Sequence, residues 1–342
     1  MDFGIALPTC VEGMAYPIRF ADHEGILRIA QAVERLGYDS ALVNDHYSTM
    51  PYVRDSFTEP PRFYEPMVTL TYVAAHTSRI KLMTGVVVMP MREPVLLAKQ
   101  AACLDQISGG RLILGLGVGA YRAEFASVRP QIAKAPRGEL VAEGIEALVE
   151  LFGQRRASYT GAHLEFHDVE MFPKPAADPF PILSCGNAPA TIRRAATLCA
   201  GWMPAGLPDD RIAAGVAEMR RQAVEAGRDA DALMVAAQTV LCIDDDIDAA
   251  AQRFRGSQVY EHLASLRQST LRDVDIDAYM SQNLIGGPGQ IIDRIHRLAE
   301  VGVNHLAGLI VVANTEAELL DQIERFAADV LPAFGKNIGD KK

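Results

Sequence analysis

Histidine and glycine carry most of the chemistry this sequence could perform. His46 stands in Asn44-Asp45-His46-Tyr47, directly after the apolar run Ser40–Asn44. A histidine just past a buried strand can exchange a proton near neutral pH, and a carboxylate beside it, as Asp45 is in the chain, strengthens that role. The other reading is a histidine held by backbone hydrogen bonds. Glycines recur in Gly115-Leu116-Gly117-Val118-Gly119-Ala120-Tyr121. With no side chain intervening, the main chain there can approach a planar ring or a phosphate, although tight strand-to-loop geometry would call for the same residues. The G-x-G-x-G spacing is not a dinucleotide fingerprint. Farther on, Gly186-Asn187-Ala188-Pro189 opens a helical stretch bearing Arg193 and Arg194. Proline at the first helical position leaves free N–H groups at a positive helix end, which suits a phosphate as well as a plain helix start. Gly85 interrupts a long apolar run, where a glycine marks a bulge or a close backbone approach. Gly286-Gly287-Pro288-Gly289 reads as a structural helix start. Trp202 and the aromatic group Tyr47, Tyr52, Phe57, Phe63 and Tyr64 fit a pocket lining or a core equally well.

Metal chemistry leaves no such pattern. The 8 histidines include no H-x-H or H-E-x-x-H, so a metal-free site is expected. Cys10, Cys103, Cys185, Cys199 and Cys242 form no C-x-x-C pair and read as small apolar residues of a reduced, cytoplasmic core. The formal charge of −10 argues against nucleic acid or an anionic membrane as the main partner. No apolar run approaches the roughly 18–20 residues of a membrane span, and the first residues, Met1-Asp2-Phe3-Gly4, do not read as a leader. Those classes are excluded.

The elements that must position these residues alternate along the chain. Strand candidates are Phe3–Leu7, Ser40–Asn44, Ile80–Met89, Leu112–Val118, Pro181–Cys185, Trp202–Ala205, Leu233–Ile243 and His305–Val312. Amphipathic stretches lie between them: Gly25–Leu36, Pro94–Ile107, Gly138–Phe152, Pro189–Leu198, Asp209–Ala226, Gly289–Val301 and Thr315–Leu331. Near-continuous apolar strands require a parallel sheet covered on both faces, and eight strand–helix units predict a closed (β/α)8 TIM barrel of the α/β class. Three insertions, about 46–65, 155–179 and 254–287, enlarge it, the second reading as a hairpin of Ala157–Tyr159 and His163–Phe166. One domain over 1–342 is expected, with the insertions as lids at the catalytic ends of the strands.

Taken together these segments resemble the luciferase-like flavin monooxygenase superfamily. The most specific stretch runs from Gly85 through Pro90-x-x-x-Pro94-Val95-x-x-Ala98-Lys99-Gln100, followed by Leu104-Asp105-x-x-Ser108-Gly109-Gly110-Arg111 and Gly115-Leu116-Gly117-Val118-Gly119-Ala120-Tyr121-Arg122-Ala123-Glu124-Phe125. The resemblance implies a (β/α)8 barrel that uses reduced FMN or coenzyme F-420. It makes His46 the active-site histidine and puts Gly85 and Val86 on a strand-three bulge, often a non-prolyl cis peptide, that backs the flavin ring. Gly117, Val118, Gly119 and Ala120, with Gly186, Asn187, Ala188 and Pro189, become the loops bordering the cofactor and its phosphate. Val118 replaces the phosphate-binding arginine of bacterial luciferase, so that contact must come from elsewhere. Ala120 replaces the glutamate of deazaflavin-dependent sugar-phosphate dehydrogenases. A monooxygenase acting with O2 and a separate flavin reductase on a small organic substrate is implied, with hydride transfer to or from coenzyme F-420 as the alternative. A non-catalytic flavin-binding barrel and a metal-dependent barrel hydrolase are weaker readings. A homodimer is implied by the resemblance alone.

Overall fold

The computed structural model describes residues 1–266 and 276–336. The strands are β1 (Asp2–Ala6), β2 (Ser40–Val43), β3 (Lys81–Thr84), β4 (Val87–Val88), β5 (Leu112–Gly117), β6 (Ala157–Thr160), β7 (Glu165–Val169), β8 (Ile182–Cys185), β9 (Gly201–Met203), β10 (Met234–Ile243), β11 (Leu284–Gly286) and β12 (His305–Val311). Parallel pairing runs β1–β2–β3–β5–β8–β9–β10–β12 and closes through β12 back onto β1. That is the closed eight-stranded barrel, and the eight strands of the ring are those expected. Inside it Leu42, Met83, Ile113, Leu183 and Met203 pack with Ala6, Ala236 and Ala307. The larger apolar layer lies between strands and helices.

The structure adds detail to this pattern and departs from it in places. The run Ile80–Met89 divides into β3 and β4, with the cis Gly85–Val86 peptide between them. The helix Pro66–His76 follows β2 where none was expected. Glu65 caps it by accepting Val68 N at 2.7 Å, and Pro66 starts it. Its apolar residues do not gather on one stripe, so the 3.6-residue pattern is faint. The third insertion contains helices Gln258–Leu266 and Ile276–Gln282 and the extra strand β11; its stretch 267–275 lies outside the described residues. The hairpin is present, with β6 and β7 antiparallel and Tyr159 opposite Phe166.

The Asp105–Arg111 motif fastens the end of the barrel where the strands begin. Asp105 is wholly buried and accepts Ala176 N at 2.8 Å, Ala177 N at 2.9 Å and Leu112 N at 3.2 Å. Arg111 donates to the carbonyls of Ala74, Thr77, Ile80 and Ser108, tying the end of helix Pro66–His76 to the start of β3.

His305 lies at the same end. Its Nε2 meets Ser40 Oγ at 2.9 Å, and Asp2, Asp39 and Lys336 are its charged neighbours. Burial lowers its pKa to about 4, against the pull of the two aspartates. Folding therefore favours the neutral ring, a contribution complete above the unfolded value near 6.5 and lost as pH falls through about 4. Urea midpoints measured between these values should fall with acidification in the native chain and fall less in His305→Gln; parallel slopes would refute the assignment.

Candidate active site

Sequence-predicted site residues collect on one arc of the rim where the strands end. His46 follows β2, Gly85 and Val86 follow β3, Gly117–Ala120 close β5, and Gly186–Pro189 follow β8. β2, β3, β5 and β8 are consecutive neighbours in the ring, so residues 140 positions apart share one mouth. Such convergence at the C-terminal ends of strands is where barrel enzymes place their chemistry.

His46 has a carboxylate partner, but it is not Asp45. Its Nδ1 lies 3.3 Å from Glu124 Oε2, on the helix Arg122–Val128. Glu124 is 3% exposed, and its Oε1 accepts the Tyr47 and Ser48 amides at 2.6 and 3.1 Å. Burial pushes this carboxyl up; the bonds from His46 and the two amides outweigh it, and the group is held below the usual carboxylate range. Asp45 turns the other way, accepting Val88 N at 2.9 Å and Arg92 Nη2 at 2.7 Å. Burial holds its carboxyl above the usual value despite Arg92. Asp45 thus fixes the strand-three turn, and Glu124 holds the histidine. The expectation that sequence adjacency would supply the carboxylate is corrected here. Neighbours in a strand-end segment point to different sides.

The His46 ring packs 5.7 Å from both Phe63 and Tyr121. Tyr52 continues the aromatic wall to Tyr121 and stacks on His262, 5.8 Å away. Met14, Met50 and Phe57 complete this apolar cluster. Burial lowers the His262 pKa to about 4, which leaves a neutral imidazole at this wall. Trp202, by contrast, is fully buried and donates to Gly186 O at 2.7 Å, so it is core.

The glycines after β5 have packing reasons of their own. A Cβ on Gly117 would lie 2.8 Å from Val86, which brings the Gly85–Val86 turn directly against this loop. Gly119 has φ +73°, and a Cβ there would meet Val88 at 2.7 Å and Phe125 at 3.0 Å. Val118 and Ala120 are exposed. Beside them Arg137 donates to Gly119 O at 2.8 Å, its guanidinium 4.9 Å from the Phe125 ring. Burial, and then the like charge of Arg122, hold Arg137 below its ordinary pKa. Two guanidinium groups at this loop form a cationic donor set, so an anionic cofactor tail fits there even without an arginine at 118.

Gly186 takes φ +120° ahead of the helix Pro189–Thr197. The Asn187 side chain is committed to the next loop, donating to Ala205 O at 2.7 Å and accepting Ala205 N at 2.9 Å. Behind the Gly85–Val86 turn, Asn44 Nδ2 donates to Gly85 O at 2.8 Å and Gln238 Nε2 at 3.3 Å. Arg137 and Gln238 carried no signal in the sequence, because each acts on a residue far away in the chain; Glu124 lies within the stretch that carries the family resemblance, but nothing there marks it as the partner of His46. Among the described residues no group of three or more His, Cys, Asp and Glu could hold a metal ion, and no helix is long and apolar enough to cross a membrane.

Residues 1–305 match the sequence profile of the luciferase-like monooxygenases, and the chain belongs to that family. Its members are flavin-dependent monooxygenases or oxidoreductases, and this chain is an enzyme of that kind. One relative is the FMNH(2)-dependent dimethylsulfone monooxygenase of Pseudomonas putida, 28% identical over 328 residues, spanning 89% of this chain and 86% of its own. Another is the F-420-dependent glucose-6-phosphate dehydrogenase of Intrasporangium calvum, 25% identical over 88% of this chain and 92% of its own. Among solved structures, the monooxygenase RslO1 of Streptomyces bottropensis superposes with a TM-score of 0.80 at 24% identity, covering 98% of this chain and all of that one, a likeness of fold.

Proposed function

We propose that the chain is a monooxygenase that takes reduced FMN from a separate flavin reductase and, with O2, oxidises a small organic substrate. The observation that carries this reading is the His46–Glu124 pair on the rim arc that also holds the Gly85–Val86 turn. Reduced flavin, when bound, supplies the electrons that make O2 reactive toward an organic molecule. His46 is the acid–base group, and Glu124 fixes its ring through Nδ1, leaving Nε2 for the reacting partner. Phe63, Tyr121 and Tyr52 exclude water beside it. The Gly117–Ala120 and Gly186–Pro189 loops border the cofactor, with Gly85 and Val86 behind its ring.

The second reading is hydride transfer with coenzyme F-420. It draws support from the deazaflavin-dependent relative, and Ala120 weighs against sugar phosphates as its substrates. Anaerobic titration with reduced FMN and with coenzyme F-420, followed by substrate-dependent O2 consumption, separates the two. Binding of coenzyme F-420 alone, without O2 uptake, would replace the first reading by the second. Val68, Leu96 and Ile107 are exposed on the adjoining helices Pro66–His76 and Pro94–Ser108, which supports a second copy of the chain as partner.

Arg137 and Arg122 are the proposed anion contact. Arg137→Ala should weaken FMN binding about ten- to a hundredfold, as expected for lost charge-assisted hydrogen bonds. Riboflavin, which has no phosphate, should bind nearly unchanged. Equal losses for the two ligands would place the phosphate elsewhere.

A further inference from the structure

A second space opens on the same rim, and strand lengths create it. β10 has ten residues, whereas β9 has three. β9 pairs with Met234 and Val235, and β11 pairs with Leu241, Cys242 and Ile243. β12 occupies the opposite edge of β10. Between β9 and β11, therefore, Ala236–Val240 have no strand beside them on that edge among the described residues. A cavity of about 480 Å³ fills the gap, bounded by the Pro204–Leu207 loop on one side and the Tyr279–Asn283 segment on the other. Its volume lies in the range of small-molecule sites.

The described lining defines what can enter. Leu207, Ile212, Leu298 and Ile310 supply apolar walls. Arg294 is the cation among them, and it is neutralised: its Nη2 reaches Asp209 Oδ1 at 2.7 Å, its Nη1 reaches Oδ2 at 2.5 Å, and Nε donates to Gln282 O. Asn283 is also committed, since its Oδ1 accepts Thr239 Oγ1 and Val240 N at 2.9 Å each, and its Nδ2 donates to Tyr279 O. Gln238 is different. Its Nε2 is taken up by Gly85 O and Met203 Sδ, which leaves Oε1 as an acceptor among the described residues, whose one lining cation is paired.

We infer that this cavity is the substrate chamber, and that its ligand is an uncharged, mainly apolar organic molecule whose O–H or N–H donates to Gln238 Oε1. The assignment rests on reading the rim arc as the flavin site, because Gln238 joins the chamber to Gly85. An ion would enter at the cost of desolvation without an opposite charge to meet it. A donor-free hydrocarbon would fill the walls and forgo the hydrogen bond.

Calorimetric titration of the full chain with benzyl alcohol, ethylbenzene and benzoate tests this. The alcohol should bind at one site, about five- to tenfold more tightly than ethylbenzene, and benzoate should give no measurable heat. Leu207→Trp should abolish the binding, and Gln238→Leu should erase the preference for the alcohol. Absence of binding, benzoate matching the alcohol, no preference in the native chain, or unchanged binding in Leu207→Trp would each overturn the assignment. FMN and coenzyme F-420 are titrated separately. If both fail while benzyl alcohol behaves as described, the flavin reading falls and the neutral chamber stands; if a flavin binds and the alcohol does not, the chamber alone is refuted.

Discussion

His46→Ala is expected to lower turnover between about a hundred- and ten-thousandfold, the span typical of a lost acid–base group, while reduced-FMN affinity changes less than about threefold. The asymmetry follows from position. The imidazole is held by Glu124 and lies between Phe63 and Tyr121, whereas the proposed cofactor contacts lie along β3, β5 and β8. Single-turnover rates at saturating reduced FMN separate the two quantities. Unchanged turnover would remove His46 from the chemistry. Loss of binding without loss of rate would make it a cofactor ligand instead. Glu124→Gln serves as the positioning control: it keeps the side chain's size, removes the charge opposite His46, and should displace the pH profile of turnover more than its maximum.

Arg111→Ala is expected to destabilise the fold by about 3–5 kcal/mol, the range for breaking a buried polar network. The guanidinium is buried and donates to four main-chain carbonyls from three segments, as well as to Thr77 Oγ1 at 3.0 Å. Removing it leaves those acceptors without their donors in a space that water fills poorly. Arg111→Lys should recover less than half of the loss, because one ammonium cannot reach acceptors arranged around a planar fork. Equilibrium urea denaturation measures both. A loss below about 1 kcal/mol for the alanine variant would show that the carbonyls find other partners.

That result also bears on what the sequence made legible. Leu104–Arg111 is the middle part of the stretch that carries the resemblance, and in the structure it is a fastening at the end of the barrel opposite the site, whereas the parts on either side of it, Gly85–Val86 and Gly115–Phe125, form the site. The residues of this fastening are recognisable because an exact set of carbonyls and amides must be satisfied there, a demand that chemistry on the opposite rim does not alter. The ring strands were readable because a strand covered on both faces must be apolar along its length. The helix Pro66–His76 escaped notice for the complementary reason: its apolar residues give no amphipathic stripe. The candidate site divides in the same way. His46 and the glycines were visible through local chain rules, whereas the pairing of Glu124 with His46 was not, because 78 residues separate the two. The unpaired edge of β10 was equally hidden, since it depends on where β9 stops and β11 begins.

Glu124 grips one imidazole and two consecutive main-chain amides with a single carboxylate. The segment that begins at Tyr47 therefore cannot swing outward without abandoning the anion that orients the ring. In the proposed mechanism, the segment after β2 and the acid–base imidazole move as one part. Deuterium uptake at Tyr47 and Ser48 becomes a gauge of this coupling: it should be slow while the carboxylate keeps its place, and quicken with any molecule that draws the imidazole toward itself. A barrel of this kind would report its own occupancy through two peptide hydrogens.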